Sequence, residues 1–235
     1  REQVLAFELA PVFALHLDAD DTKHAKVLRL AVGEHIAVVD AVSDYFECEI
    51  VSFEGDELSV SIAQKLSSYA RPEVVLVQGL AKGEKMDTIV RHATEVGIAG
   101  FVPMTTSRSV VKLDAKKSKA RFERWASIAK SAAMQSGRSS KPVVHAPCSV
   151  AGAVDIAKDC DAVLICWEEA ELSNTLAKAV SCCIATTGKD PRSLRIALVV
   201  GPEGGLTAQE VDLFLALPYA YSISLGPSVL RTETA

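Results

Sequence analysis

Near the end of this 235-residue chain two Gly-Pro turns stand close together. The first, Gly201-Pro202-Glu203-Gly204-Gly205-Leu206, follows the apolar run Ala197-Leu198-Val199-Val200. The second, Gly226-Pro227, closes the run Tyr221 to Leu225 and leads through Ser228-Val229-Leu230 to Arg231-Thr232-Glu233. Glycines let backbone amides approach a ligand closely, and in an open α/β sheet such turns lie outside the carboxyl ends of the strands, where ligands bind. Arg231 adds a planar, permanently charged fork suited to two carbonyl oxygens or a phosphate. The spacing is not G-x-G-x-x-G, and G-x-x-x-x-G-K-[ST] occurs nowhere, so neither a dinucleotide fingerprint nor a phosphate-cradling loop is indicated. From the residues alone, two tight turns stiffened by proline and binding nothing are an equal alternative.

The elements that would position these turns can be read upstream. The four apolar residues before Gly201 predict a buried strand, and Thr207 with Glu210 three positions on predicts a capping box opening a helix over Ala208 to Leu215. Gly201 to Leu206 is then a strand-to-helix turn. Further strands are expected at Val74 to Val77, Phe101 to Met104, Val143 to His145, Ala162 to Trp167 and Tyr221 to Leu225. Helices are expected at Glu84 to Val96, Lys119 to Ser136, Val150 to Lys158 and Leu172 to Ile184. In the first of these helices Met86, Ile89, Val90, Ala93 and Val96 share a face, with Gly97 as the cap; in the second, Trp125, Ile128, Ala129 and Ala132 face inward. Strands alternating with helices predict a parallel sheet in an α/β domain, and ordinary connection rules predict no knot in it.

Residues 1–67 have another period. A strand at Val4 to Leu9, alternation at Ile36/Val38, Phe46/Cys48/Ile50 and Leu58/Val60/Ile62, and turns at Ser43-Asp44 and Glu54-Gly55-Asp56 predict a small β-barrel. A helical or looped segment, Thr22 to Leu30, carries Lys23, His24, Lys26 and Arg29. Leu66 to Glu73, with Pro72, reads as a linker, giving domains at 1–67 and 68–235.

Composition sets limits on function. No apolar run approaches the roughly 18 residues that span a bilayer, and Arg1-Glu2-Gln3 opens no signal peptide, so a cytoplasmic protein away from membranes is expected. The six cysteines form no C-x-x-C and no zinc spacing; they read as buried apolar side chains, and no metal is implied. A net charge of −5 argues against indiscriminate coating of nucleic acid. Basic residues nonetheless cluster around Lys26 and again from Arg108 to Arg124, either as solvated faces or as contacts to a polyanion.

Four motifs in order carry a resemblance: Gln78-Gly79-Leu80-Ala81-Lys82-Gly83-Glu84-Lys85-Met86-Asp87; Gln135-Ser136-Gly137-Arg138 with Pro142; Gly201 to Gly205; and Ser224 to Pro227 with Leu230 to Ala235. Together they resemble the signature of the bacterial 16S ribosomal RNA uridine-N3 methyltransferases, of the SPOUT class of knotted S-adenosylmethionine enzymes. Lys26-Val27-Leu28-Arg29-Leu30 with Gly33-Glu34 is similar to that family's amino-terminal signature.

The resemblance implies a PUA-like barrel, a deep trefoil knot and a homodimer, acting on a decoding-region uridine of 16S ribosomal RNA within the small ribosomal subunit. It assigns the cofactor to Val200, Gly201, Pro202, Gly204, Gly205, Leu225, Gly226, Leu230 and Thr232. For that reaction the chemistry of the residues makes Arg231 the candidate electrophilic partner and Glu203 the candidate acceptor of the N3 proton, provided that burial raises the Glu203 pKa. RNA contacts fall to Lys82, Lys85, Arg108 and Arg138, with Lys26 and Arg29 from the barrel.

Other roles stay open for the same residues: Arg231 paired with Glu203 or Glu233, Glu203 bonded to turn amides, Arg138 as a helix-end cation, and His92 as a solvated side chain. Two departures stand out, since Ser228 occupies a position where the family usually has arginine, and family members continue past position 235 into a final helix. An RNA-binding assembly factor without turnover, and an α/β enzyme using another adenine-containing cofactor, are the rival readings.

Overall fold

The computed structural model describes residues 12–17, 22, 25, 30–39, 45–54, 57–66 and 71–235, and the chain divides into two units, Arg1–Tyr69 and Ala70–Ala235. In the first unit, strands β1 (Val12–Leu15), β2 (His35–Val39), β3 (Tyr45–Glu54) and β4 (Glu57–Leu66) form an antiparallel sheet in the order β1-β4-β3-β2. Alternation puts Phe46, Cys48 and Ile50 of β3 on one face, where they pack with Leu15, Leu58 and Val60. The expected strand at Val4 to Leu9 and the residues Lys26 and Arg29 lie outside the described residues. Of Thr22 to Leu30 only Thr22, Ala25 and Leu30 are described, the first two helical. The sequence reading missed β1, which pairs antiparallel with β4 through Phe13 and Val60.

The second unit runs β5 (Glu73–Gly79), α1 (Lys85–Val96), β6 (Gly100–Thr105), α2 (Ala115–Gln135), β7 (Val143–Val144), β8 (Cys148–Ser149), α3 (Val150–Ala157), β9 (Ala162–Cys166), α4 (Leu176–Thr187), β10 (Arg195–Val200), α5 (Ala208–Leu215) and β11 (Ala220–Ile223). Its parallel sheet has the order β11-β9-β10-β5-β6-β7, with β8 also on β6. Both faces are apolar, as a sheet covered by helices on both sides requires. Val75, Val77, Val163, Val199 and their neighbours pack on α3 and α5 through Ala153, Ala157, Val211 and Phe214. On the opposite face Leu76 and Phe101 meet Met86, Ile89 and Val90 of α1 and Trp125 and Ala129 of α2, while Leu164 and Ile196 meet Ala179 and Cys183 of α4.

Several boundaries differ from the sequence reading. Helix α2 begins at Ala115, a turn earlier than expected, because the Asp114 side chain caps it by accepting from Lys117 N at 2.8 Å. Helix α4 begins four residues later, at Leu176 after the Thr175 cap, and leaves Leu172 63% exposed. On α1 the expected inward Val96 is 80% exposed, and Asp87 is buried instead. Its carboxylate accepts from Arg124 Nε (2.9 Å) and Nη2 (2.6 Å) and from Trp125 Nε1 (3.1 Å). Burial alone would raise the Asp87 pKa, but these bonds outweigh it and hold the group below the usual carboxylate range.

One topological detail places the site. From β5 the chain moves to β6 on one side, and β10 later enters on the other, between β5 and β9. The carboxyl end of β10 is therefore flanked by those of β5 and β9, the crevice position where open α/β sheets bind ligands.

Candidate active site between the two Gly-Pro turns

The first turn leaves β10 at Val200 and enters α5 through the predicted capping box, in which Thr207 Oγ1 accepts from Glu210 N (3.3 Å) and Glu210 Oε2 from Thr207 N (3.0 Å). Glu210 Oε1 also accepts from Ser107 N at 2.7 Å, tying the loop after β6 to the start of α5. Burial raises the pKa of this buried carboxyl, but the amides of Thr207 and Ser107 outweigh that and keep it lowered. From the same loop, Arg108 Nη1 donates to Gly204 O (2.8 Å) and Leu206 O (3.3 Å). Two glycines are required by close approach. A Cβ at Gly79 would lie 2.5 Å from Pro202 N and Cδ, and one at Gly201 would lie 2.9 Å from the backbone carbon Gly205 C; Gly205 itself is favoured by its φ of +70°.

The tail after β11 comes back across the ends of β5 and β10. Thr232, buried, donates to Gly201 O at 2.6 Å and accepts from Gln78 Nε2 at 2.9 Å. Gln78 Nε2 also reaches Gly79 O (3.0 Å) and Gly201 O (3.2 Å), so one amide group holds strand end, turn and tail together. Between the turns lies a cavity of about 400 Å³. Its walls are Val200, Gly201, Pro202, Glu203 and Gly205 from the first turn, Ser224 to Thr232 from the second, Cys166, Trp167 and Glu168 from the end of β9, and Lys85. Both its size and its mixture of apolar walls with a few charged groups fit a cofactor-sized molecule.

Charge at the mouth is organised by Lys85. Its Nζ lies 3.2 Å from Glu203 Oε1 and 3.2 Å from Glu233 Oε2, and Glu203 Oε1 further accepts from Lys82 N at 3.1 Å. Burial pushes the Glu203 pKa up, but hydrogen bonds from its own amide and that of Lys82, then Lys85, bring it net below the ordinary range. The rise expected of Glu203 as a proton acceptor is thus not what the site produces, because cationic and amide donors surround the carboxylate. Glu233 is likewise lowered, first by its own backbone amide, and Lys85 is raised, first by Glu203. Groups with depressed folded pKa values stabilise fully above their unfolded pKa and lose that contribution as pH falls through the folded one. Amide-exchange protection of Arg231 to Glu233 should therefore hold from pH 8 down to the ordinary carboxylate range and decline only below it. Loss centred above that range would contradict the assignment.

The other expected site residues fall as follows. Val200, Gly201, Pro202, Gly205, Leu225, Gly226, Leu230 and Thr232 all line the cavity, whereas Gly204 does not, its backbone being packed against Arg108. Arg231 lines the cavity with an exposed side chain that makes no ion pair with any described residue; Glu203 and Glu233, its alternative partners, are taken by Lys85. Lys82 is exposed. Arg108 clamps the first turn, and Arg138 caps the end of α1, donating to Ile98 O (2.7 Å), Thr94 O (2.9 Å) and Gly97 O (3.3 Å). Exposed His92 stands away from the cavity lining. Sequence reasoning gave no site role to Gln78, Trp167, Glu168 or Glu210. Only Glu210 had a local signal, the capping box.

A family model described as the RNA methyltransferase domain matches residues 69–235. Ribosomal RNA small subunit methyltransferase E of Bacillus subtilis is 33% identical over 231 residues, covering 97% of this chain and 88% of that protein. Its counterpart from Mycobacterium bovis is 31% identical over 225 residues, covering 93% and 81%. A solved structure from Legionella pneumophila, in complex with the bound cofactor SAM, superposes with a TM-score of 0.73 at 27% identity, covering 95% of this chain and 88% of that one. The chain belongs to the ribosomal RNA small subunit methyltransferase E family, within the RNA methyltransferases.

Proposed function

We propose that this protein is an S-adenosylmethionine-dependent methyltransferase of the cytoplasm that methylates N3 of a decoding-region uridine in 16S ribosomal RNA, within the small ribosomal subunit. The observation that carries this reading is the cavity between the two Gly-Pro turns, whose tail wall is anchored by the Gln78–Thr232 bond, in a chain whose relatives along nearly its whole length are small subunit ribosomal RNA methyltransferases. The residues present fit the cofactor: glycines leave the backbone of 200–205 and 224–232 open to contact, and Leu225 and Leu230 offer apolar walls. S-adenosylmethionine, when bound there, supplies an electrophilic methyl group.

The chain's own residues meet the demands of the other reactant. Uracil N3 must lose a weakly acidic proton, and the charge left behind spreads onto the two flanking carbonyl oxygens. Arg231, permanently charged, lining the cavity and making no ion pair with any described residue, would in this reading offset that charge and orient the base. Glu203, held ionised by Lys82 N and Lys85, acts in this reading as the clamp that fixes the first turn to α1 and, through Lys85 and Glu233, to the tail. Return of the tail across β5 and β10 supports a deep trefoil knot of SPOUT type. The four-stranded antiparallel sheet of the first unit supports a PUA-like barrel. Exposed Leu172, Leu176, Leu225 and Val229 support a homodimer.

The test is methyl transfer from labelled S-adenosylmethionine to small subunits lacking the modification, followed by digestion to nucleosides. Label in 3-methyluridine from 16S RNA is expected, and label in another nucleoside would overturn the assignment. Exposed Ser228 on the cavity wall favours a second reading, an assembly factor without turnover, which predicts cofactor binding with no label transferred.

A further inference from the structure

Charge in this chain is segregated. Between Thr106 and Arg124 seven lysines and arginines stand against two carboxylates, Asp114 and Glu123, leaving +5 in a chain whose net charge is −5. The segment starts at the site, where Arg108 holds the first turn, and runs through a loop that buries Ser109 and packs Val111 and Leu113 on the core while exposing Lys112, into the first turns of α2. Lys112 and Lys116 are exposed and make no ion pair with any described residue. Lys117 has only the exposed Asp114 at 3.4 Å, a contact that contributes little in water.

These cations are not there for the helix. The first turn of α2 contains no acidic residue and carries Lys116 and Lys117, although the amino end of a helix is its positive end and disfavours cations. Nor is the helix end itself an anion site, since Asp114 already accepts from Lys117 N. A local rule broken on an exposed face beside a site marks function more often than accident.

We propose that the exposed Lys112, Lys116 and Lys117 dock the phosphate backbone of the RNA whose uridine enters the cavity. Charge complementarity selects this occupant: a run of exposed lysines that follows Arg108, which holds the first turn, suits a polyanion presented to the cavity. The proposal rests on the methyltransferase reading for the identity of the RNA, but its signature is separate. Each phosphate neutralised adds about 0.7 to 0.9 to the slope of log affinity against log salt.

The experiment is salt-dependent binding of naked 16S RNA between 50 and 200 mM salt, comparing wild type with the Lys112→Gln/Lys116→Gln/Lys117→Gln variant and with all three lysines changed to arginine. The glutamine variant should bind with a slope shallower by about 2 and, in methyl transfer to small subunits lacking the modification, show a raised KM for the subunits, unchanged kcat and unchanged affinity for S-adenosylmethionine. Its Tm should rise, because cations leave the positive end of α2. The arginine variant should bind like wild type. A raised Tm with unchanged slope and KM would overturn the proposal and leave a merely solvated face. A wild type that transfers no methyl, beside a glutamine variant that still shows the shallower slope, would sink the catalytic reading and leave the docking surface standing.

Discussion

Gln78→Glu should cost the protein on the order of 3–5 kcal/mol and take S-adenosylmethionine binding with it. The replacement keeps the shape of the side chain and removes both donors. In the wild type Nε2 faces three acceptors, Thr232 Oγ1 at 2.9 Å, Gly79 O at 3.0 Å and Gly201 O at 3.2 Å, in a site 1% exposed. An ionised glutamate there would be a buried charge among oxygen atoms, and a protonated one would offer a single O–H to three acceptors. Tail and turn lose their common anchor either way, so the cavity opens. Thermal unfolding with a parallel cofactor titration measures both losses, and a variant within about 0.5 kcal/mol of wild type would show that this amide does not hold the tail.

Gly79→Ala should produce the second large effect. Its Cβ would stand 2.5 Å from Pro202 N and Cδ and 2.9 Å from Gly201 C, atoms of the turn backbone and of a rigid ring that cannot rotate away. Either β5 or the end of β10 must shift, at a cost of about 3 kcal/mol, the upper part of the range for overpacking. The first turn moves with it, and cofactor affinity should fall at least about tenfold, since a 1.4 kcal/mol loss at the site already gives that factor. Gly83→Ala is the matching control. Its φ of +62° strains any side chain, but no atom lies within 4 Å of the added carbon, so about 1 kcal/mol of stability should go and cofactor affinity should stay. Equal loss of affinity in both variants would mean that backbone strain, rather than the contact with Pro202, governs the site.

What could be read from the sequence was local. Thr207 and Glu210 announce the capping box because both halves of it lie within four residues, and the apolar run ending at Val200 announces the strand that feeds the turn. The start of α2 went unread because its first turns are exposed and polar, so apolar periodicity begins only further along, while the true signal was the single cap Asp114. Val96 continues the spacing of Met86, Ile89 and Ala93, which predicts it inward, yet at the helix end it is 80% exposed. The polar contacts that hold the turn and the tail in place are non-local: Gln78 meets Thr232 across 154 positions, and Arg108 meets Gly204 across 96. The direction of the Glu203 shift depends on its own backbone amide and then on Lys82 and Lys85, which no spacing rule connects to it. Threading of a chain end through a loop leaves no mark on periodicity at all, so only resemblance could suggest it.

Amide hydrogen exchange with and without S-adenosylmethionine tests most directly whether the cofactor sits between the two Gly-Pro turns. Added cofactor should slow exchange at Gly201 to Leu206 and at Leu225 to Thr232, with little change at the far ends of β5 and β10. Binding that leaves both turns unprotected, and protects another part of the chain instead, would contradict the account.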